Sequence, residues 1–67
     1  MRTWLIDIRK KKGLAQSFVA EKVGISAPSY CNIENGSRRP SVDNAKEIAR
    51  LLGFEWTRFY EGEDEGK

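Results

Sequence analysis

The tightest constraint on this chain lies in Gln16–Gly36, QSFVAEKVGISAPSYCNIENG. Phe18, Val19 and Val23 are apolar with Ala20 between them, and Tyr30 and Ile33 follow at a spacing of three. Both groups fit helices that face each other. Between them stand only Gly24 and Ile25 before Ser26, whose hydroxyl suits the start of a new helix. Gly24 can take the positive φ needed to end one helix and turn into the next within about three residues. Ala20 is placed where a larger side chain would hold the two helices apart, and Ile25 fills the angle between them.

The flanking sequence reads as support for this pair. Thr3 is a candidate cap for a first helix, with Leu5, Ile8 and Trp4 as its apolar stripe. Asp7 comes early in it and Lys10, Lys11 and Lys12 late, an order that suits the helix dipole. Gly13 ends it, and Leu14 returns to the core. Pro28 falls in the first turn of the third helix, where a missing N–H costs nothing, and Asn35-Gly36 closes that helix. Ser37-Arg38-Arg39-Pro40 is a basic loop, and Ser41 caps a fourth helix. There Val42, Ala45, Ile48, Ala49 and Leu52 repeat at spacings of three and four, the clearest amphipathic signal in the chain. After Gly53, Phe54 packs back, and Trp56, Phe59 and Tyr60 form a short fifth helix or turn.

With 67 residues the chain allows one small domain. Two parts are expected: a folded domain over 1–60 and an acidic, flexible tail over 61–67. Residues 1–60 hold 11 Lys and Arg against 6 Asp and Glu, a balance of +5 that suits phosphate contact. A single cysteine rules out an internal disulfide, and with no histidine a zinc site of the usual kind is excluded. No cofactor is expected. No apolar run approaches a membrane span and there is no signal-peptide core, so the cytoplasm, with the nucleoid as the working site, is the expected location.

Taken together, Arg9, Gly13-Leu14, Gln16, Val19-Ala20, Val23-Gly24-Ile25-Ser26, Tyr30, Ile33, Glu34-Asn35-Gly36, Arg39-Pro40-Ser41, Ile48-Ala49 and Leu52-Gly53 resemble the helix-turn-helix family of phage Cro and repressor proteins, the XRE family. The resemblance covers about residues 4–60, and ISAPSYCNIENGSRRPS is its most specific part. It implies an all-α fold: a compact five-helix bundle of the lambda repressor-like kind, with the third helix in the DNA major groove. It also implies a partly buried ion pair between Arg9 and Glu34. The family usually carries Thr, Ser or Asn where this chain has Ala15, so the second helix is expected to lack a side-chain cap. The family also often places long polar residues where this chain has Ala27 and Pro28. Readout is therefore expected to shift toward apolar contact and DNA shape.

Within that frame each outward residue has a role to weigh against a bland one. The Asn32 amide can donate and accept at once, matching adenine in the major groove; the alternative is a solvated helix face. Ser29 can bond a base or a phosphate. Ala27 and Pro28 can meet a thymine methyl, or simply serve the helix start. Gln16 can face a phosphate at the start of the second helix, or act in local capping. Asn35 can grip phosphate while also closing its helix, and Arg38 and Arg39 are expected phosphate contacts rather than a merely solvated loop. Cys31 is read as a small neutral residue near the interface.

The expected function is sequence-specific binding of double-stranded DNA as a transcriptional regulator, a repressor that occupies an operator and excludes polymerase. Such modules work as symmetric pairs, so a homodimer is expected, formed through residues near 50–60 or on DNA. An enzyme is disfavoured: there is no His, no nucleophile–base pair and no phosphate-cradling glycine loop. The competing class is an antitoxin-type protein that binds a toxin and regulates its own operon, using exposed aromatics at Trp56 and Tyr60.

Overall fold

A computed structural model describes residues 1–60. Its α-helices are α1 (Thr3–Lys11), α2 (Gln16–Val23), α3 (Ala27–Asn35) and α4 (Val42–Leu52). A fifth helical segment begins at residue 58 and reaches the limit of the described residues. No strand occurs among them, so the described residues form an all-helical fold as expected. The acidic tail read at 61–67 lies outside the described residues.

Three of the helix ends use one device. The residue after the glycine sends its N–H back five positions: Leu14 to the Arg9 carbonyl, Ile25 to Ala20 and Phe54 to Ala49. This geometry satisfies carbonyls left without intrahelical donors and turns an apolar residue back onto the core. Leu14, Ile25 and Phe54 accordingly pack against the core cluster. At the turn between α2 and α3, Gly24 has φ +89°, a conformation that side chains disfavour.

The helix starts differ. Ser26 and Ser41 cap α3 and α4, accepting from the Ser29 and Asn44 N–H groups. Ala15 starts α2 with no side-chain cap, as its sequence implies. The expected cap at Thr3 is not formed. Thr3 is already helical, and the N-cap position is held by Arg2, which makes no side-chain cap.

The core gathers Leu5 of α1, Val19 and Ala20 of α2, Tyr30 and Ile33 of α3, Ala45, Ile48 and Leu52 of α4, and Phe59. α3 packs on α2 and α1, and α2 also meets α4. Trp4, Phe54 and Phe59 form a triangle of edge-to-face rings with centroids 5.2–5.5 Å apart, joining α1 to the segment after α4. Among the described residues the exposed large apolar side chains are Met1, Phe18 and Val42. Val42 is 48% exposed, a correction to its place in the α4 stripe. As the first residue of α4 it lies at the helix start, where the spacing from Ala45 alone did not decide burial. Phe18 is 39% exposed and carries the Lys22 ammonium 5.4 Å from its ring centre.

Candidate nucleic-acid interface

α3 divides its residues by length and polarity. Tyr30, Ile33 and Glu34 are buried, while Ala27, Pro28 and Asn32 are exposed and Ser29 and Cys31 half-buried. The outward face therefore consists of short side chains over its whole length. A surface of this shape can approach another surface closely, as groove entry requires.

Glu34 is the polar centre beneath this face. It is 2% exposed, and its Oε2 accepts from Arg9 Nε at 2.6 Å while Oε1 accepts from Arg9 Nη2 at 3.3 Å. The implied ion pair is thus present and two-pronged. Arg9 also donates from Nη1 to the Leu14 carbonyl at 2.7 Å. Burial alone would raise the Glu34 carboxyl, but donors from Arg9 and Gln16 outweigh it and hold it below its ordinary value. Its partner effect runs the other way, and the hydrogen bond to Glu34 raises the Arg9 guanidinium. The Tyr30 phenol beside this pair is pushed well above its usual value, first by burial and then by the Glu34 carboxylate.

Gln16 joins the same centre. Its Nε2 donates to Glu34 Oε1 at 2.9 Å, so the first residue of α2 is tied to the last turn of α3. One amide hydrogen of Gln16 is thus engaged inside the protein, a contact the sequence did not reveal. The three polar residues lock α1, α2 and α3 together around the α3 base.

The remaining named residues cluster at the α3 C-terminus. Asn35 Oδ1 accepts from the Ser37 N–H at 3.0 Å and from Ser37 Oγ at 2.7 Å, closing a tight turn after Gly36. The Arg38 N–H returns to the Asn32 carbonyl at 3.2 Å. Arg38 and Arg39 are exposed, and with Ser29, Ile25 and Asn44 they line one cleft of about 250 Å³. Arg39 also lies over the Tyr60 ring, 5.8 Å from its centre. Ser29 Oγ accepts from Ser26 Oγ at 2.9 Å, so its hydroxyl takes part in the α3 cap. Trp56 and Tyr60, which the antitoxin reading takes as exposed, are half-buried. They meet edge-to-face at 6.0 Å, and the Tyr60 hydroxyl donates to the Pro40 carbonyl at 3.2 Å. The Tyr60 ring thus braces the loop between α3 and α4, and Trp56 packs against it.

Arg2 went unnoticed in the sequence. It is 9% exposed, its N–H donates to the Glu34 carbonyl at 2.7 Å, and its guanidinium reaches the Ile33 and Arg38 carbonyls. No local pattern announces this, because the partners lie more than thirty positions away.

Two short helices meeting at a glycine turn, with a short-residue face on the second and a basic loop behind it, define a helix-turn-helix domain. The Helix-turn-helix family model matches residues 5–59, and the chain belongs to this family, in its XRE branch. An uncharacterized HTH-type transcriptional regulator of Bacillus subtilis, YqaF, is 48% identical over 61 residues, 91% of this chain and 80% of its own. An uncharacterized HTH-type transcriptional regulator of Methanothermobacter thermautotrophicus is 42% identical over 55 residues, 82% of this chain and 80% of its own. The HTH-type transcriptional regulator AnsR of Bacillus subtilis is 35% identical over 48 residues, covering 72% of this chain and 41% of its own. No solved structure matches.

Proposed function

We propose that this protein, a DNA-binding transcriptional regulator by its family, is a repressor of phage or mobile-element type. It lays α3 in the major groove of an operator and excludes polymerase by occupancy. The observation that carries this reading is the α3 face itself: Ala27, Pro28 and Asn32 are exposed and short, while every long side chain of the helix up to Glu34 turns inward.

On this reading Asn32 reads a base edge, and Ala27 and Pro28 meet thymine methyl groups. Ser29, already engaged in the helix cap, makes a secondary contact. Backbone phosphates are met by the uncapped α2 start at Gln16 and by Asn35, Arg38 and Arg39. Two copies bind together, since one short helix buries too little surface for tight specific binding. Their contact runs through residues near 50–60, and the complex works on the nucleoid. The antitoxin reading gains no support from Trp56 and Tyr60, whose rings are occupied within the domain.

Selection of bound sequences from random duplex DNA tests the proposal. The expected result is a palindromic site with half-sites about 34 Å apart. Recovery of no preferred sequence would overturn specific repression and favour a protein partner.

A further inference from the structure

We infer that Arg2 is a positioning residue for DNA binding, holding the C-terminal end of α3 and the basic loop 37–40 in one fixed arrangement. The inference rests on the DNA reading above and adds a residue that contacts no nucleic acid.

α3 needs such a residue. The last carbonyls of a helix lack intrahelical donors, and a cation there is favoured by the helix dipole. α3 has no basic residue in its own last turn. Arg2 supplies both needs from another part of the chain. Its backbone N–H meets the Glu34 carbonyl at 2.7 Å, and its Nη1 donates to the Ile33 carbonyl.

The same Nη1 reaches the Arg38 carbonyl at 3.3 Å, so one guanidinium spans the helix end and the loop beyond it. Arg38 is then held on both sides, because its own N–H bonds to the Asn32 carbonyl at 3.2 Å. The guanidinium is also backed by the Phe59 ring, 5.6 Å from its centre. That ring belongs to the core, so the clamp is anchored to the scaffold rather than to the loop it holds.

Gly36 is shaped to the same contact. It has φ +88°, and a Cβ built there would meet the Met1 nitrogen at 3.3 Å, so the chain start lies directly on the α3 cap. Arg2 is buried, and its N–H and Nη1 donate to three carbonyls, which makes it a poor phosphate ligand. Its effect passes through Arg38 and Arg39, whose backbone it orients. The Ile33 and Arg38 carbonyls are both met by one Nη1 fixed in a planar guanidinium against the Phe59 ring, whereas a lysine ammonium is a compact point charge on a flexible stem.

The test uses the full chain as wild type, Arg2→Ala, Arg2→Lys, Arg38→Ala/Arg39→Ala, and the triple variant. Probes are the selected duplex and a duplex of unrelated sequence, titrated across salt well below each melting temperature. Arg2→Ala is expected to weaken both duplexes roughly tenfold and flatten the salt slope by about one unit, because a displaced loop loses phosphate contacts. The triple variant should lose less than the separate losses multiplied together, the mark of residues acting through one another. Arg2→Lys should recover the melting temperature while keeping the flattened slope. In the free protein, amide hydrogen exchange at 37–39 should quicken in Arg2→Ala while α4 stays protected.

A lower melting temperature with unchanged affinity, slope and exchange at 37–39 would reduce Arg2 to a fold stabiliser and overturn the inference. Full multiplication of losses would make it an independent contact and overturn it as well. Failure of the wild-type chain to bind either duplex overturns the DNA reading itself and the positioning role with it; the wild-type titration therefore separates the two failures.

Discussion

Arg9 and Glu34, 25 positions apart, meet through two hydrogen bonds with the Glu34 side chain 2% and the Arg9 side chain 11% exposed. Breaking one side of a pair this buried leaves an uncompensated charge, which costs about 3–5 kcal/mol. Glu34→Ala should therefore lower the melting temperature steeply, since each kcal/mol moves a domain of this size by about 4–8 °C. The double variant Arg9→Met/Glu34→Leu should lose far less, because it removes both charges and keeps the volume. Equal losses in the single and double variants, followed by thermal unfolding, would show that the pair is not energetically isolated from water.

The same pair makes stability depend on acid. The Glu34 carboxyl is held below its ordinary value in the folded protein. A depressed folded value means that the unfolded chain takes up the proton first as pH falls. Its contribution is full above the unfolded carboxyl value of about 4.3 and is lost as pH drops through the lower folded value. Melting curves from pH 7 to pH 2 should show this loss in wild type and a shallower one in Glu34→Gln. Parallel curves would assign the acid sensitivity to other carboxylates.

Asn32 is the exposed amide on the α3 face, with no bulky neighbour beside it among Ala27, Pro28 and Ser29. Asn32→Ala should cost about 1–3 kcal/mol of discrimination at one base position and little elsewhere. Binding to every single-base variant of the selected site measures this directly. An unchanged preference at all positions would remove Asn32 as a reader.

Arg39 is expected to behave differently. Exposed beyond the helix and stacked on Tyr60, it suits contact with phosphate rather than with a base. Arg39→Ala should weaken all duplexes alike and flatten the salt slope by about one unit. A loss confined to one base position would make it a reader instead.

These expectations draw on sequence to different depths. The helices, their glycine ends and the caps at Ser26 and Ser41 were legible because each depends on residues within five positions. The Arg9–Glu34 pair was accessible only through family likeness, since nothing local links the two residues. Arg2 and the Gln16–Glu34 contact were invisible for a related reason: a lone polar residue carries no periodicity, and its burial is decided by what folds over it. Thr3 and Val42 misled because a good cap residue and an apolar spacing are local preferences, which the chain start and the α4 entry override. The brace made by Tyr60 was equally hidden, because its partner is a backbone carbonyl twenty positions back.

One local preference remains unmet, and it can be supplied. Ala15 has φ −80° and ψ 156°, close to the values at the working caps Ser26 (−74°, 155°) and Ser41 (−65°, 164°). Its carbonyl already accepts from the Val19 N–H at 3.2 Å, as an N-cap carbonyl does. Only the side-chain oxygen is missing. Ala15→Ser should therefore stabilise the domain by about 1 kcal/mol without moving the backbone, and raise the melting temperature by about 4–8 °C. Ser26→Ala should produce the mirror-image loss, which controls for the worth of a cap in this fold. A gain at Ala15 far below the loss at Ser26 would mean that water already satisfies the first N–H groups of α2, the groups assigned here to phosphate.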